Sequence, residues 1–203
     1  MQKELTTPIQ SWAQSASAPL WLRSAGIVVV GSGLVAACAH LALPLWFSPI
    51  PLTLQTFAVL LLGLLLPPRL AAATLLAYLV EGAVGLPFFA PSPATGGLAH
   101  LLGPTGGYLL AYPAAALLTS WLARRGQRRF IRSLASAFLG SLVILASGSL
   151  WLAALTHAPL RSILTLAVLP FLPGDALKVA AAAAASAAFQ RLRRKAADSH
   201  PTL

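Results

Sequence analysis

The chain has 203 residues, 58% of them hydrophobic and only 9% charged, with a mean hydropathy of +0.80 and a formal net charge of +10. A soluble domain of this length cannot hide that much apolar surface, whereas lipid can. The basic residues fall in short clusters between apolar runs, which is a pattern of topology determinants and argues against a nucleic-acid partner.

From the N-terminus, MQKELTTPIQSWAQSASAPLWLR carries Glu4 and has no continuous apolar run. It therefore does not read as a cleaved signal peptide. Trp12 and Trp21 suit a membrane interface, so residues 1–24 are expected to form a cytoplasmic or interfacial segment. Ser24 to Pro68 contains no Asp, Glu, Lys or Arg. The apolar runs predict six membrane helices, at roughly 25–45, 53–66, 70–86, 104–123, 133–156 and 173–190. Pro44, Pro49, Pro51, Pro67, Pro68, the Pro/Gly-rich stretch 87–107 and the arginines from Arg124 to Arg132 separate them. The stretch from His157 to Leu172 is bounded by Pro159, Arg161 and Pro170 and reads as a surface or re-entrant piece. A transmembrane domain over 25–190 and a basic cytoplasmic tail over 191–203 complete the organisation.

Placing the N-terminus in the cytoplasm leaves Arg161 as the one basic residue in an outer loop and Lys178 within a helix. All other Lys and Arg then lie inside, so the positive-inside rule sets both termini in the cytoplasm. Helix six then runs inward, with Lys178 about 8 Å below the outer boundary, and helix three runs outward, with Glu81 about 18 Å along it. Gln55, Thr105, Tyr108, Ser147, Ser149 and Trp151 also fall in the outer half. Polar groups at one depth inside a membrane favour a pocket, since such groups face protein or a water-filled cavity.

Asp175 and Lys178 carry the strongest signal. Charges in PFLPGDALKVAAAAAASAAF are costly, about 2.5–3.5 kcal/mol each at a bilayer centre. Three positions apart, they share a helix face. They either lock helices together as an internal ion pair or bind a ligand bearing both donors and an acidic or carbonyl group. Gly96, Gly97, Gly103, Gly106 and Gly107 surround the entry to helix four, where they serve either tight turns or close ligand approach to backbone N–H groups.

GIVVVGSGLVAA has the form of a dinucleotide fingerprint but lacks a βαβ unit and an acidic residue about 20 positions on. Gly33 and Ala37, four apart, instead suit close approach of a partner helix, from this chain or another subunit. His40, His100, His157 and His200 are scattered without zinc-like spacing. No metal or cofactor is expected, and no phosphate loop is present in the sequence. Cys38, the single cysteine, excludes an internal disulfide.

Three stretches, SPIPLTLQTFAVLLLGLLL, GLPFFAPSPATGGLAHLLGPTGGYLLAYP and PFLPGDALKVAAA, together resemble the BioY family of biotin transporters. These are S components of energy-coupling factor (ECF) transporters. The resemblance runs from about Pro44 to Ala188. It implies a six-helix S-component fold, both termini cytoplasmic, in a prokaryotic plasma membrane, that captures biotin from outside and is not an enzyme. Implied partners are biotin, membrane lipid, an energy-coupling transmembrane subunit and ATPase subunits, with a homo-oligomer as a further possibility. It also implies that Asp175 accepts from the ureido N–H groups, while Lys178 contacts the ureido carbonyl or the valerate carboxylate. Thr53, Gln55, Gly106, Gly107 and Tyr108 match the other motifs, and Glu81 and Trp151 join the expected substrate site through their depth. Glu81 is expected to pair with Lys178. Ala111–Tyr112 stands where the family pattern has Gly-Phe, and PSPAT lengthens the outer loop. The alternatives are an S component for thiamine or riboflavin, or an intramembrane enzyme using Asp175 or Glu81 as acid/base, for which the sequence supplies no nucleophile or metal partner.

Overall fold

The computed structural model describes residues 19–48, 50–91, 96–125 and 130–198. The N-terminal residues before Pro19, most of the PSPAT insertion, Arg128, Arg129 and His200 lie outside these. Each of the apolar runs forms one helix: α1 (Leu20–His40), α2 (Gln55–Leu65), α3 (Pro68–Ala83), α5 (Gly106–Ala123), α6 (Phe130–Thr156) and α8 (Leu172–Asp198). Two short pieces complete the set, α4 (Leu98–Leu102) and α7 (Leu160–Ile163), the latter continuing as a π-helical turn over Leu164–Val168.

Proline explains most of the boundaries. Pro44 forces Leu43 toward an extended conformation, so α1 stops at His40, five residues earlier than expected. The freed chain instead forms a two-residue ladder, β1 (Ala42–Leu43) against β2 (Leu52–Thr53), antiparallel with Ala42 opposite Thr53. Pro67–Pro68 ends α2 and opens α3, with Pro68 at the first helical position, where its missing N–H is no loss. The last carbonyls of α2 find outside donors: Ser120 Oγ donates to Leu66 O at 2.6 Å and Arg124 Nη2 to Leu65 O at 3.4 Å. The charged segment before residue 25 and the tail after residue 190 do not break their helices. α1 begins at Leu20 and α8 runs through Arg191 and Lys195 to Asp198.

By length and composition, α1 and α6 could each cross a membrane, and Arg161–Val168 with Leu172–Asp198, bent by 46°, could form a third span. At 11 residues, α2 reaches only about 16 Å as a straight helix. Small residues bring these helices together. A methyl group on Gly31 of α1 would press on Thr74 of α3, and one on Gly140 of α6 would overlap Thr119 of α5. Tyr78, Leu60, Leu75, Val35 and Val59 are completely buried at the centre. The outside is apolar as well: Val30, Leu150 and Leu177 are exposed, and Trp46 is 96% exposed. A bundle with an apolar surface as well as an apolar core is built for lipid.

Candidate functional site

One cleft of about 550 Å³, open space included, lies among α2, α5, α6 and α8 and the connections at Ile50–Thr53, Ala90 and α4. Ile50, Leu109, Ile144, Leu145 and Phe171 supply apolar walls. Thr53, Gln55, Tyr108, Asp175 and Lys178, all expected at the site, share this cleft.

Asp175 and Lys178 reach it from the first turns of α8. Asp175 N donates to Phe171 O at 2.8 Å, fixing the backbone. Lys178 Nζ donates to Asp175 Oδ1 at 3.2 Å, and the pair is largely buried. Asp175 also lies in the first turn of the helix, where the macrodipole favours an anion.

The opposite polar edge is a directed chain of hydrogen bonds. Thr53 Oγ1 donates to Gln55 Oε1 at 3.0 Å, Gln55 Nε2 donates to Tyr78 Oη at 2.6 Å, and Tyr78 Oη donates to Phe88 O at 3.2 Å. This fixes the orientation of the Gln55 amide and leaves it one N–H and one lone pair for a ligand. Tyr108 faces the cleft with its ring while its hydroxyl donates to Ala167 O at 3.1 Å, in the π-helical turn.

The remaining expected residues lie elsewhere. Gly106 and Gly107 fall in the seam between α5 and α6: a methyl group on Gly106 would collide with the Leu101 carbonyl, and one on Gly107 with Trp151. Trp151 Nε1 donates to Gly103 O at 2.9 Å and Ser147 Oγ to Gly107 O at 2.9 Å. None of these residues lines the cleft. Glu81 does not pair with Lys178, which is bonded to Asp175; Glu81 Oε2 is buried without a hydrogen-bond partner among the described residues. A common depth along two helices did not bring the two charges together, because depth says nothing about which way each faces. On α1, nothing lies within 4 Å of where a Gly33 side chain would begin, and Ala37 is exposed; the close approach within the chain is at Gly31.

The sequence does not single out His100 as a site residue, and it marks Tyr112 only as a departure from the family pattern that bears on the pocket lining. His100, on α4, is buried and stacks on Phe89 with ring centroids 5.1 Å apart. Tyr112, one turn beyond Tyr108, is buried against Tyr78 and also lines the cleft. Its departure from the family pattern was the available signal. Among the described residues, no group of three or more His, Cys, Asp or Glu could hold a metal ion.

A partly enclosed apolar cleft, one ion pair and an oriented amide, inside a bundle whose outer surface is apolar, describe a membrane-embedded, multi-pass binding protein. The chain belongs to the BioY family, whose sequence profile matches residues 6–195. It is 43% identical over 135 residues to a probable biotin transporter BioY of Pyrococcus horikoshii, covering 66% of this chain and 77% of the relative. It is 34% identical over 157 residues to biotin transporter BioY2 of Lactococcus lactis subsp. cremoris, covering 77% and 84%. With biotin transporter BioY of Thermotoga maritima it shares 34% identity over 152 residues, covering 75% and 86%. The fold matches the crystal structure of the S-component for biotin from an ECF-type ABC transporter with a TM-score of 0.77 at 24% identity, over 88% of this chain and 95% of that one. The all-α S-component-like fold is therefore shared.

Proposed function

We propose that this protein is the biotin-binding subunit of a membrane vitamin-uptake transporter and captures biotin from the outer side for ATP-driven import. The family is one of transport proteins, and the relatives above are named biotin transporters. The observation that carries the reading is the Asp175–Lys178 pair on the wall of an otherwise apolar cleft. Biotin offers matching chemistry: a ureido group with donors and an acceptor, an apolar bicycle and an acidic tail. Asp175 accepts from the ureido N–H groups, Lys178 donates to the ligand, Thr53 and Gln55 supply further polar contacts, and Tyr108 packs on the bicycle. Gly106, Gly107 and Trp151 shape the wall behind Tyr108, and Glu81 has no direct contact with the ligand.

The fuller arrangement is six spans within 25–190, an interfacial segment over 1–24, a basic tail over 191–203 and both termini cytoplasmic in a prokaryotic plasma membrane. The distribution of arginines supports it. An energy-coupling transmembrane subunit with ATPase subunits, or a second copy of this chain, would pack along the Gly33–Ala37 face of α1, where among the described residues nothing lies within 4 Å of a Gly33 side chain and Ala37 is exposed. Titration of detergent-solubilised protein with biotin, thiamine and riboflavin tests the assignment. Saturable binding of biotin alone is expected; saturable binding of thiamine or riboflavin instead would overturn it. Uptake assays with and without candidate ATPase subunits test the coupling.

A further inference from the structure

Lys178 is the one lysine or arginine among the described residues lining the cleft, and its charge is already engaged, 3.2 Å from Asp175. The pair sums to zero. It can satisfy a neutral group that both donates and accepts, such as a ureido group, but it offers no net charge to a carboxylate. Diverting Lys178 to a carboxylate would leave Asp175 as an uncompensated anion in an apolar wall. Removing one partner from a buried pair is strongly destabilising. An acidic ligand needs a second cationic group.

His100 meets that requirement. It is only 8% exposed, yet it sits on α4, in the connection between α3 and α5 and outside the long helices. α4 packs on α3 and α5, whereas α8 packs on α2 and α6, so the imidazole and the ion pair reach the cleft from different sides. The ring lies at 23° to that of Phe89, which meets Tyr78 edge-on with centroids 5.6 Å apart. Stacking holds the ring by its face, while both nitrogens lie in the ring plane. Neither has a hydrogen-bond partner among the described residues, and the residue lines the cleft. Packing alone would be served equally by an apolar ring, so the polar edge of His100 has no structural employment.

We infer that His100 receives the carboxylate of the bound acid and takes up a proton as it does so, leaving Asp175 and Lys178 to the ureido group. This rests on the biotin reading above. Burial lowers the pKa of His100 below the ordinary imidazole range, which keeps the ring neutral at pH 7 in the empty cleft. An anion placed beside it favours the charged form. Its pKa is then higher with ligand than without, so the gain in affinity is present at low pH and is lost as pH rises through the ligand-bound value. The titratable groups on the elements packed around it are Tyr78 and Glu81 of α3, with Arg69 at the far end of that helix, and Tyr108 and Tyr112 of α5, with Asp175 and Lys178 across the cleft. Any of these lying near the carboxylate would also feel its charge, so the proton is assigned by comparing the two ligands in the wild type and in His100 variants.

Calorimetric titration of the full-length protein with biotin and with biotinamide, in buffers of different ionisation enthalpy, counts protons taken up on binding. Biotin is expected to take up a proton near pH 7 and biotinamide none. Biotin affinity is expected to fall about tenfold between about pH 6 and 8 while biotinamide affinity stays level. His100→Gln keeps a donor without a charge, and His100→Phe keeps the stack without a donor. Both should abolish proton uptake and narrow the preference for biotin over biotinamide by about tenfold. Unchanged proton uptake in His100→Gln, or equal losses for both ligands in both variants, would overturn the inference while the biotin reading stands. Wild-type protein that binds neither ligand would overturn that reading and this inference together.

Discussion

The starts of α5 and α8 both carry glycine beside polar residues, and they use them in contrary ways. At α8, Gly174 meets only Leu52, at an ordinary contact distance, and the side chains of Asp175 and Lys178 matter because they enter the cleft. At α5, Gly106 and Gly107 matter because they have no side chain: Trp151 and the Leu101 carbonyl occupy the space a methyl group would need. One region supplies chemistry and the other proximity. The cleft requires both, since Tyr108 reaches its position only because α6 lies close behind it, with Gly148 under its ring.

The largest effect is expected at α8. Lys178→Ala leaves a mostly buried carboxylate unpaired and should lower stability by about 3 kcal/mol, the low end for buried pairs because the cleft admits water. Biotin affinity should fall tenfold or more, on the order of 1.4 kcal/mol, and Asp175→Asn should weaken binding in the same direction. The double substitution Asp175→Leu with Lys178→Met should recover most of the stability, because apolar replacements for a buried pair are commonly neutral, and should still fail to bind. Thermal unfolding in detergent alongside biotin titration reads both. A folded Lys178→Ala protein with full affinity would assign the pair to structure alone and remove the contrast with α5.

The next effect belongs to the α5–α6 seam. Gly107→Val forces a branched side chain against Trp151 and should lower stability by about 2 kcal/mol, within the usual range for overpacking. The folded fraction should keep biotin affinity within about threefold. A loss of affinity well beyond that, with the unfolding temperature unchanged, would show that the ligand touches the Gly107 backbone and that both regions supply chemistry.

The same contrast explains what could be read in the sequence. The long helices were legible because apolar runs and prolines act locally; Asp175, Lys178, Gln55 and Tyr108 were legible as polar residues in apolar surroundings, and Thr53 only through the motif it shares with the family. Trp151 and Glu81 shared their depth, but depth is set by position along a helix and says nothing of azimuth. Trp151 turned to Gly103 and Glu81 away from Lys178. His100 was invisible because a five-residue helix has no periodicity to reveal which face is buried. The β1–β2 ladder was equally hidden: two residues on each side leave no alternation to detect.

The smallest effect, and the one that joins the two regions, is expected at Tyr108. Its hydroxyl donates to Ala167 O at 3.1 Å, where the π-helical turn gives way to α8. That carbonyl lacks its usual helical donors: Pro170 has no N–H, and Phe171 N donates to Val168 O instead. The buried Ala167 group therefore depends on a side chain from another helix. Tyr108→Phe keeps the ring over Gly148 and removes only that bond, so stability should fall by about 1 kcal/mol. Biotin affinity should change by less than about threefold, because the ring packs on the ligand while the hydroxyl is spent on the backbone. An affinity loss as large as that of Lys178→Ala, at unchanged stability, would mean that the hydroxyl leaves Ala167 for the ligand. Tyr108 would then act through its polar atom, as Asp175 and Lys178 do.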